Sequence, residues 1–159
     1  MPGLLRSLAW RVGDVPWLPA GPPGGWWEDW YLVEGWTALG ELEHRAVRGA
    51  PGRPHQSLAA TAGGGAGAVY RLRAGEEAAV GAPRAAWHNK PGGTGYRDLE
   101  RALAPMLNEP GAGWWQRALV LGPAPEFCLL SPEGPGPLSE AGPAGELAGL
   151  VVVERERVV

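Results

Sequence analysis

Nine tryptophans in 159 residues, six of them between positions 10 and 36, constrain this chain more than any other feature. Each large ring carries roughly 150–250 Å² of surface that favours burial. With three tyrosines and one phenylalanine they exclude a solvated, disordered chain. That exclusion is needed, because 26 glycines and 17 prolines bring the composition to the border of low complexity. A single domain spanning 1–159 is expected, and its fold must find room for indoles on more than one surface. Abundant proline with scarce Asn and Gln fits adaptation to heat, although lysine, a residue favoured in hyperthermophiles, occurs once, as Lys90.

Charge and cysteine content remove several functional classes. A net charge of -3 gives no overall field to gather nucleic acid. The stretch from His44 to Arg73 holds five arginines, two histidines and no carboxylate, which reads as a solvated arginine face. No run approaches the roughly 18–20 apolar residues of a spanning helix. The start, Met-Pro-Gly-Leu-Leu-Arg, lacks the pattern of a secretory leader, so a cytoplasmic protein with no membrane partner is expected. One cysteine, Cys128, permits no internal disulfide and no cysteine-pair metal site.

Periodicity and breakers divide the chain. Residues 4–12 and 26–34 read as strands, separated by a Pro/Gly loop over 13–25. Trp36, Leu39, Leu42 and Val47 fall at helical spacing, and a short helical turn follows at 55–62. Residues 68–73 and 84–89 read as neighbouring antiparallel strands. Tyr96, Leu99, Leu103, Met106 and Leu107 define a helix over 96–107 with Asp98 in its first turn, where the dipole favours an anion. Strands are expected at 114–121, 127–130 and 147–153, with a second Pro/Gly loop over 132–145.

Between residues 30 and 121 the order is strand, helix, strand, strand, helix, strand, the split βαβ order. The expected fold is therefore α+β: a ferredoxin-like antiparallel sheet over 30–130 with helices on one face and extra N- and C-terminal strands. Ala118-Leu119-Val120-Leu121 and Leu150-Val151-Val152-Val153 are apolar at consecutive positions, which signals burial on both faces. A second copy of the chain is the expected cover of the open face, by two-fold pairing of sheets. The alternative cover is the N-terminal Trp-rich loop folded back.

This layout, with a Trp-rich first strand, a buried second sheet face and a Trp-containing third strand, resembles the dimeric alpha/beta-barrel group of ferredoxin-like proteins. That group includes cofactor-independent monooxygenases, isomerases and haem-degrading enzymes, so the resemblance implies a homodimer and leaves the reaction open. Residues 121–128 also look like a signature of uncharacterised bacterial proteins.

Haem-degrading members of the similar group use an asparagine, a tryptophan and a histidine, which draws attention to Trp87-His88-Asn89. Strand alternation, however, puts Trp87 and Asn89 on one face and His88 on the other, so no cofactor is expected. Residues 90–96 join a strand to a helix start; their glycines free backbone amides, Thr94 can cap and Lys90 adds positive charge, although no Walker sequence is present. Residues 63–67, also glycine-rich, follow a helix and precede a strand, the reverse of dinucleotide-binding order. Glu41 and His44 lie three apart on one helix, but nothing brings His55 or His88 to them, so no metal site is expected. Cys128, flanked by Phe127 and Leu129, reads as a small core residue.

The expected function is binding of a small apolar or aromatic molecule, with Trp30, Trp36, Trp87 and Lys90 as candidate contacts. The alternatives are an oxygenase or isomerase using His88, Asn89 or Tyr70, and a purely structural or interaction protein. Trp26, Trp27, Trp30 and Trp36 have Glu28, Asp29 and Glu34 as neighbours, which disfavours nucleic acid as the stacking partner.

Overall fold

The computed structural model describes residues 1–46, 57, 60, 64–120, 123–133 and 148–158. Most of the expected turn at 55–62, with its His55, and most of the 132–145 loop lie outside these residues. Seven strands and two helices are described: β1 (Leu4–Val12), β2 (Trp26–Val33), α1 (Trp36–Ala46), β3 (Ala68–Gly75), β4 (Arg84–Asn89), α2 (Tyr96–Leu107), β5 (Gly113–Val120), β6 (Phe127–Ser131) and β7 (Ala148–Arg157). A 3-10 turn at Glu77–Gly81, which periodicity does not reveal, links β3 to β4. Among the described residues no helix is long and apolar enough to cross a membrane.

The strands form one sheet in the order β2-β1-β7-β4-β6-β5-β3, and every neighbouring pair is antiparallel. This corrects the ferredoxin-like expectation. The four strands assigned to that unit are not contiguous: β2 and β3 stand at opposite edges, β6 lies between β4 and β5, and β7 and β1 separate β4 from β2. The expected pairing of 68–73 with 84–89 is replaced by β3 with β5, from Ala68 opposite Val120 to Gly75 opposite Gly113. Element order is local information, whereas strand partners are chosen by non-local contacts that no periodicity records.

Six successive antiparallel pairings leave the edge strands β2 and β3 pointing the same way. An antiparallel sheet of this strand number cannot close by a seventh antiparallel ladder, so it curls into a half-barrel with a seam between β2 and β3. Across the seam the Trp30 ring of β2 meets Tyr70 of β3 at 6.0 Å. The chain itself crosses here, because α1 leads from β2 towards β3. Only Ala38 of α1 is buried, while Leu39 and Leu42 are half-buried at the seam.

Two apolar layers flank the sheet. On the concave side Trp10, Trp87, Trp115, Cys128, Leu130 and Val153 pack with Trp17, Leu18, Trp30 and Tyr70. On the convex side α2 sets Leu99 and Leu103 against Ala86, Trp114, Phe127 and Leu129. The cover over the second face is thus supplied within the chain, by β1, β2 and the 13–25 loop that carries Trp17. The half-barrel of one chain replaces the expected barrel of two paired sheets, and helices do not line up on one face, since α1 guards the seam and α2 the opposite side.

Burial on both faces falls elsewhere than expected. Residues 85–88 of β4 and all of β6 are buried, as central strands between the two layers should be. Ala118 and Leu119 are exposed and Val152 is half open to solvent; Ala118 lines the cleft inside the half-barrel. Gly75 shows how tightly the β3 to β5 corner is built. It holds φ +83, and a Cβ there would lie 2.4 Å from the Ala112 carbonyl oxygen. Gly75→Ala is expected to cost about 1–3 kcal/mol through backbone strain and this clash, read as a lowered denaturation midpoint; an unchanged midpoint contradicts it.

Candidate functional site

The inside of the half-barrel is a cleft of about 690 Å³ opening at the seam. Its size lies within the roughly 300–1,000 Å³ of small-molecule sites. Alternation along β2 builds one wall: Trp26, Glu28, Trp30 and Leu32 point inward, while Trp27 and Tyr31 are exposed outside. Period two therefore divides a strand that is aromatic throughout into a binding face and an outer face. Outside, the Arg11 guanidinium rests 5.4 Å from the centre of the Trp27 ring.

Trp30 is the hub of the cleft. Its ring lies 6.4 Å from Trp87 on β4, 5.7 Å from Trp115 on β5 and 6.0 Å from Tyr70 on β3. Trp17 from the 13–25 loop meets Trp87 edge-on at 5.7 Å. Such edge and tilted contacts lock the rings and leave part of each face to the cleft. The Nε1 donors of Trp26 and Trp115 are buried without a hydrogen-bond partner among the described residues. Both tryptophans line the cleft. An unpaired buried donor is costly; both are turned into the protein, Trp26 Nε1 beside Gly21 and Trp115 Nε1 beside Gly113.

Polar groups in the cleft are few. Tyr70 also lines it, but its hydroxyl donates to the Pro125 carbonyl at 2.7 Å, and burial pushes its pKa well up. A phenol so held is not a base at neutral pH. Glu28 accepts from Trp30 Nε1 and lies 3.0 Å from Arg155 Nη2, both on its Oε1. Arg155 is buried; it also donates to Ala82 O at 2.9 Å and to Val80 O at 3.4 Å, and its guanidinium lies 4.1 Å from the Trp10 ring centre. Burial raises the Glu28 pKa and lowers that of Arg155, while each partner's charge opposes the shift of the other.

The remaining sequence candidates stand apart from this cleft. His88 is fully buried on the convex side, where Trp114 Nε1 donates to its Nε2 at 3.3 Å. That bond leaves the ring proton on Nδ1, 3.4 Å from Asn89 O. The imidazole stacks on Phe127 at 5.1 Å, and burial lowers its pKa to about 4. Asn89 uses Oδ1 to accept from the Glu126 backbone N–H at 3.0 Å. Lys90 donates to Thr94 O at 2.7 Å, so its charge braces its own loop, and α2 starts at Gly95 without a side-chain cap. His88, Asn89 and Tyr70 therefore do not converge.

Trp30, Trp87 and Tyr70 do converge, and Trp36 lies at the rim with its ring largely exposed. The sequence reading missed Trp17, Trp115, Glu28 and Arg155 as parts of the concave face. A signal existed for the last: Val151, Val153 and Arg155 continue one alternating face past the expected strand end at 153. Cys128 is buried beneath the cleft, and burial pushes its thiol pKa up, which keeps it protonated and inert. On α1, Glu41 pairs with Arg45 at 3.7 Å, and His44 is exposed. Among the described residues no three His, Cys, Asp or Glu side chains cluster as a metal site.

Compared with protein-family models, curated proteins and solved structures, the chain matches none.

Proposed function

We propose that the chain binds a flat apolar or aromatic small molecule in the half-barrel cleft. The observation that carries this reading is the cleft of about 690 Å³ walled by Trp30, Trp87, Trp115 and Tyr70. Rings fixed by one another lose little entropy when a ligand stacks on them, and they present faces that suit a planar partner. Entry is by the seam, between β2 and β3 and under Leu39 and Leu42 of α1.

A neutral fluorescent probe, N-phenyl-1-naphthylamine, tests the reading. It is expected to bind saturably with one site per chain and to quench tryptophan emission by energy transfer. Leu39→Glu puts a charge at the mouth from a half-buried position, and is expected to weaken the probe at least about tenfold by setting a polar group against apolar surface with little change in melting temperature. Non-saturable binding, or equal binding by the variant, overturns the proposal.

A further inference from the structure

The cleft combines aromatic walls with acidic lining. Glu28, Glu34 and Glu77 belong to its lining, against one basic residue, Arg71. Arg71 turns away from it: its Nη2 donates to Gln116 Oε1 at 3.3 Å on the outer side of β3 and β5. No other lysine or arginine among the described residues lines this space.

The concave face already holds one cation of the chain's own. The Arg155 guanidinium lies 4.1 Å from the Trp10 ring centre and 5.9 Å from that of Trp30, beside the Glu28 carboxylate. The negative faces of indoles and a carboxylate are thus arranged as a cation host, and Arg155 occupies the deep side of it. Both contacts to Glu28 fall on Oε1. Among the described residues no hydrogen bond reaches Oε2, and Glu28 lines the cleft, so this oxygen remains to accept from or pair with a guest. The outer side of the same host, bounded by Trp30, Trp87 and Tyr70, is the cleft itself.

From this juxtaposition we infer that the ligand of the cleft is an organic cation: an apolar or aromatic body bearing an ammonium or similar charge, held over Trp30 and its neighbouring rings and beside Glu28. The inference rests on the binding reading above and narrows it by charge. Glu34 and Glu77 at the rim add long-range attraction, which salt screens. Arg155 does not cancel the preference, because its charge is matched by Glu28 and lies behind the rings, while the rim carboxylates face solvent at the mouth.

An isosteric pair tests the charge alone. 3-Hydroxyphenyltrimethylammonium and 3-tert-butylphenol share shape and hydroxyl and differ in one positive charge. Calorimetric titration of the full chain is expected to show the cation bound about tenfold more tightly at low salt, in line with a partly desolvated cation–π contact. Added salt is expected to narrow the gap. Glu28→Gln is expected to reduce it further; because that change also unpairs Arg155, the double variant Glu34→Gln/Glu77→Gln, at the exposed rim, serves as a fold-neutral second measurement and is expected to reduce it too. Equal affinity for the two compounds, or tighter binding of the neutral one, overturns the inference and leaves the binding reading standing. Failure of both compounds to bind while the naphthylamine probe binds has the same result. Failure of all three overturns both.

Discussion

Arg155→Ala is expected to lower the unfolding free energy by about 3–5 kcal/mol, the usual cost of removing one partner from a buried ion pair. Three separate losses combine in this change. Glu28 keeps a buried carboxylate whose main counter-charge is gone, with its pKa already raised by burial. The carbonyls of Val80 and Ala82, at the 3-10 turn after β3, lose their donors at 3.4 and 2.9 Å. The Trp10 ring loses the guanidinium that lies 4.1 Å from its centre. Denaturant titration measures the loss, and a decrease below about 1 kcal/mol, the range of a solvent-exposed pair, contradicts it. The double replacement Glu28→Gln/Arg155→Met is expected to recover most of the stability, because an apolar side chain of similar length needs no counter-charge. If the double variant is no more stable than Arg155→Ala, the cost lies in the two carbonyls and not in the pair.

Acidification is the second large effect. His88 titrates near 6.5 in an unfolded chain and at about 4 when folded, because burial between Phe127, Trp114 and the sheet penalises the charged ring. Between those values the unfolded chain takes up a proton that the native state refuses. The contribution of His88 to stability is complete above pH 6.5, falls as the pH drops, and is gone near pH 4. The total is about 3 kcal/mol, from the size of that pKa difference. Protonation also removes the Nε2 acceptor used by Trp114. Glu28 acts in the opposite sense, since its raised pKa makes protonation favour the folded state. The contribution of His88 is therefore read as the difference between wild type and His88→Gln, titrated with denaturant at both ends of the window. Wild type is expected to lose about 3 kcal/mol more than the variant on acidification; equal losses contradict a neutral, buried His88.

Much of the local structure is legible in the chain. Alternation in 4–12 and strand-forming residues between breakers in 26–34 and 84–89 yield three strands, the second ending at Val33, and apolar spacing yields α2 at 96–107. Within the site, the same alternation separates Trp87 from His88, and the two side chains do enter opposite layers. Two kinds of information escape this reading. Trp114 and Trp115 are adjacent and both large, so periodicity assigns neither to the cleft; only the layers on each side of β5 do so, with Trp114 under α2 and Trp115 in the half-barrel. Arg155 lies in a charged tail that reads as the end of a strand, yet it is buried because Glu28 and two carbonyls await it from β2 and the 3-10 turn.

The sequence by itself determined that the chain folds, where most of its strands and helices lie, and that tryptophans must fill both sides of a sheet. Each of these follows from short-range sterics, from breakers and from the cost of exposing indole surface. Only the tertiary structure decided which strands are neighbours, and with that the half-barrel in place of a ferredoxin-like sheet. Strand pairing joins segments as distant as β1 and β7, and its energy is spread over many contacts that leave no local mark. The cleft is a consequence of that choice, since Trp30, Tyr70, Trp87 and Trp115 come from four separate strands and meet only when β2 curls across the face towards β3.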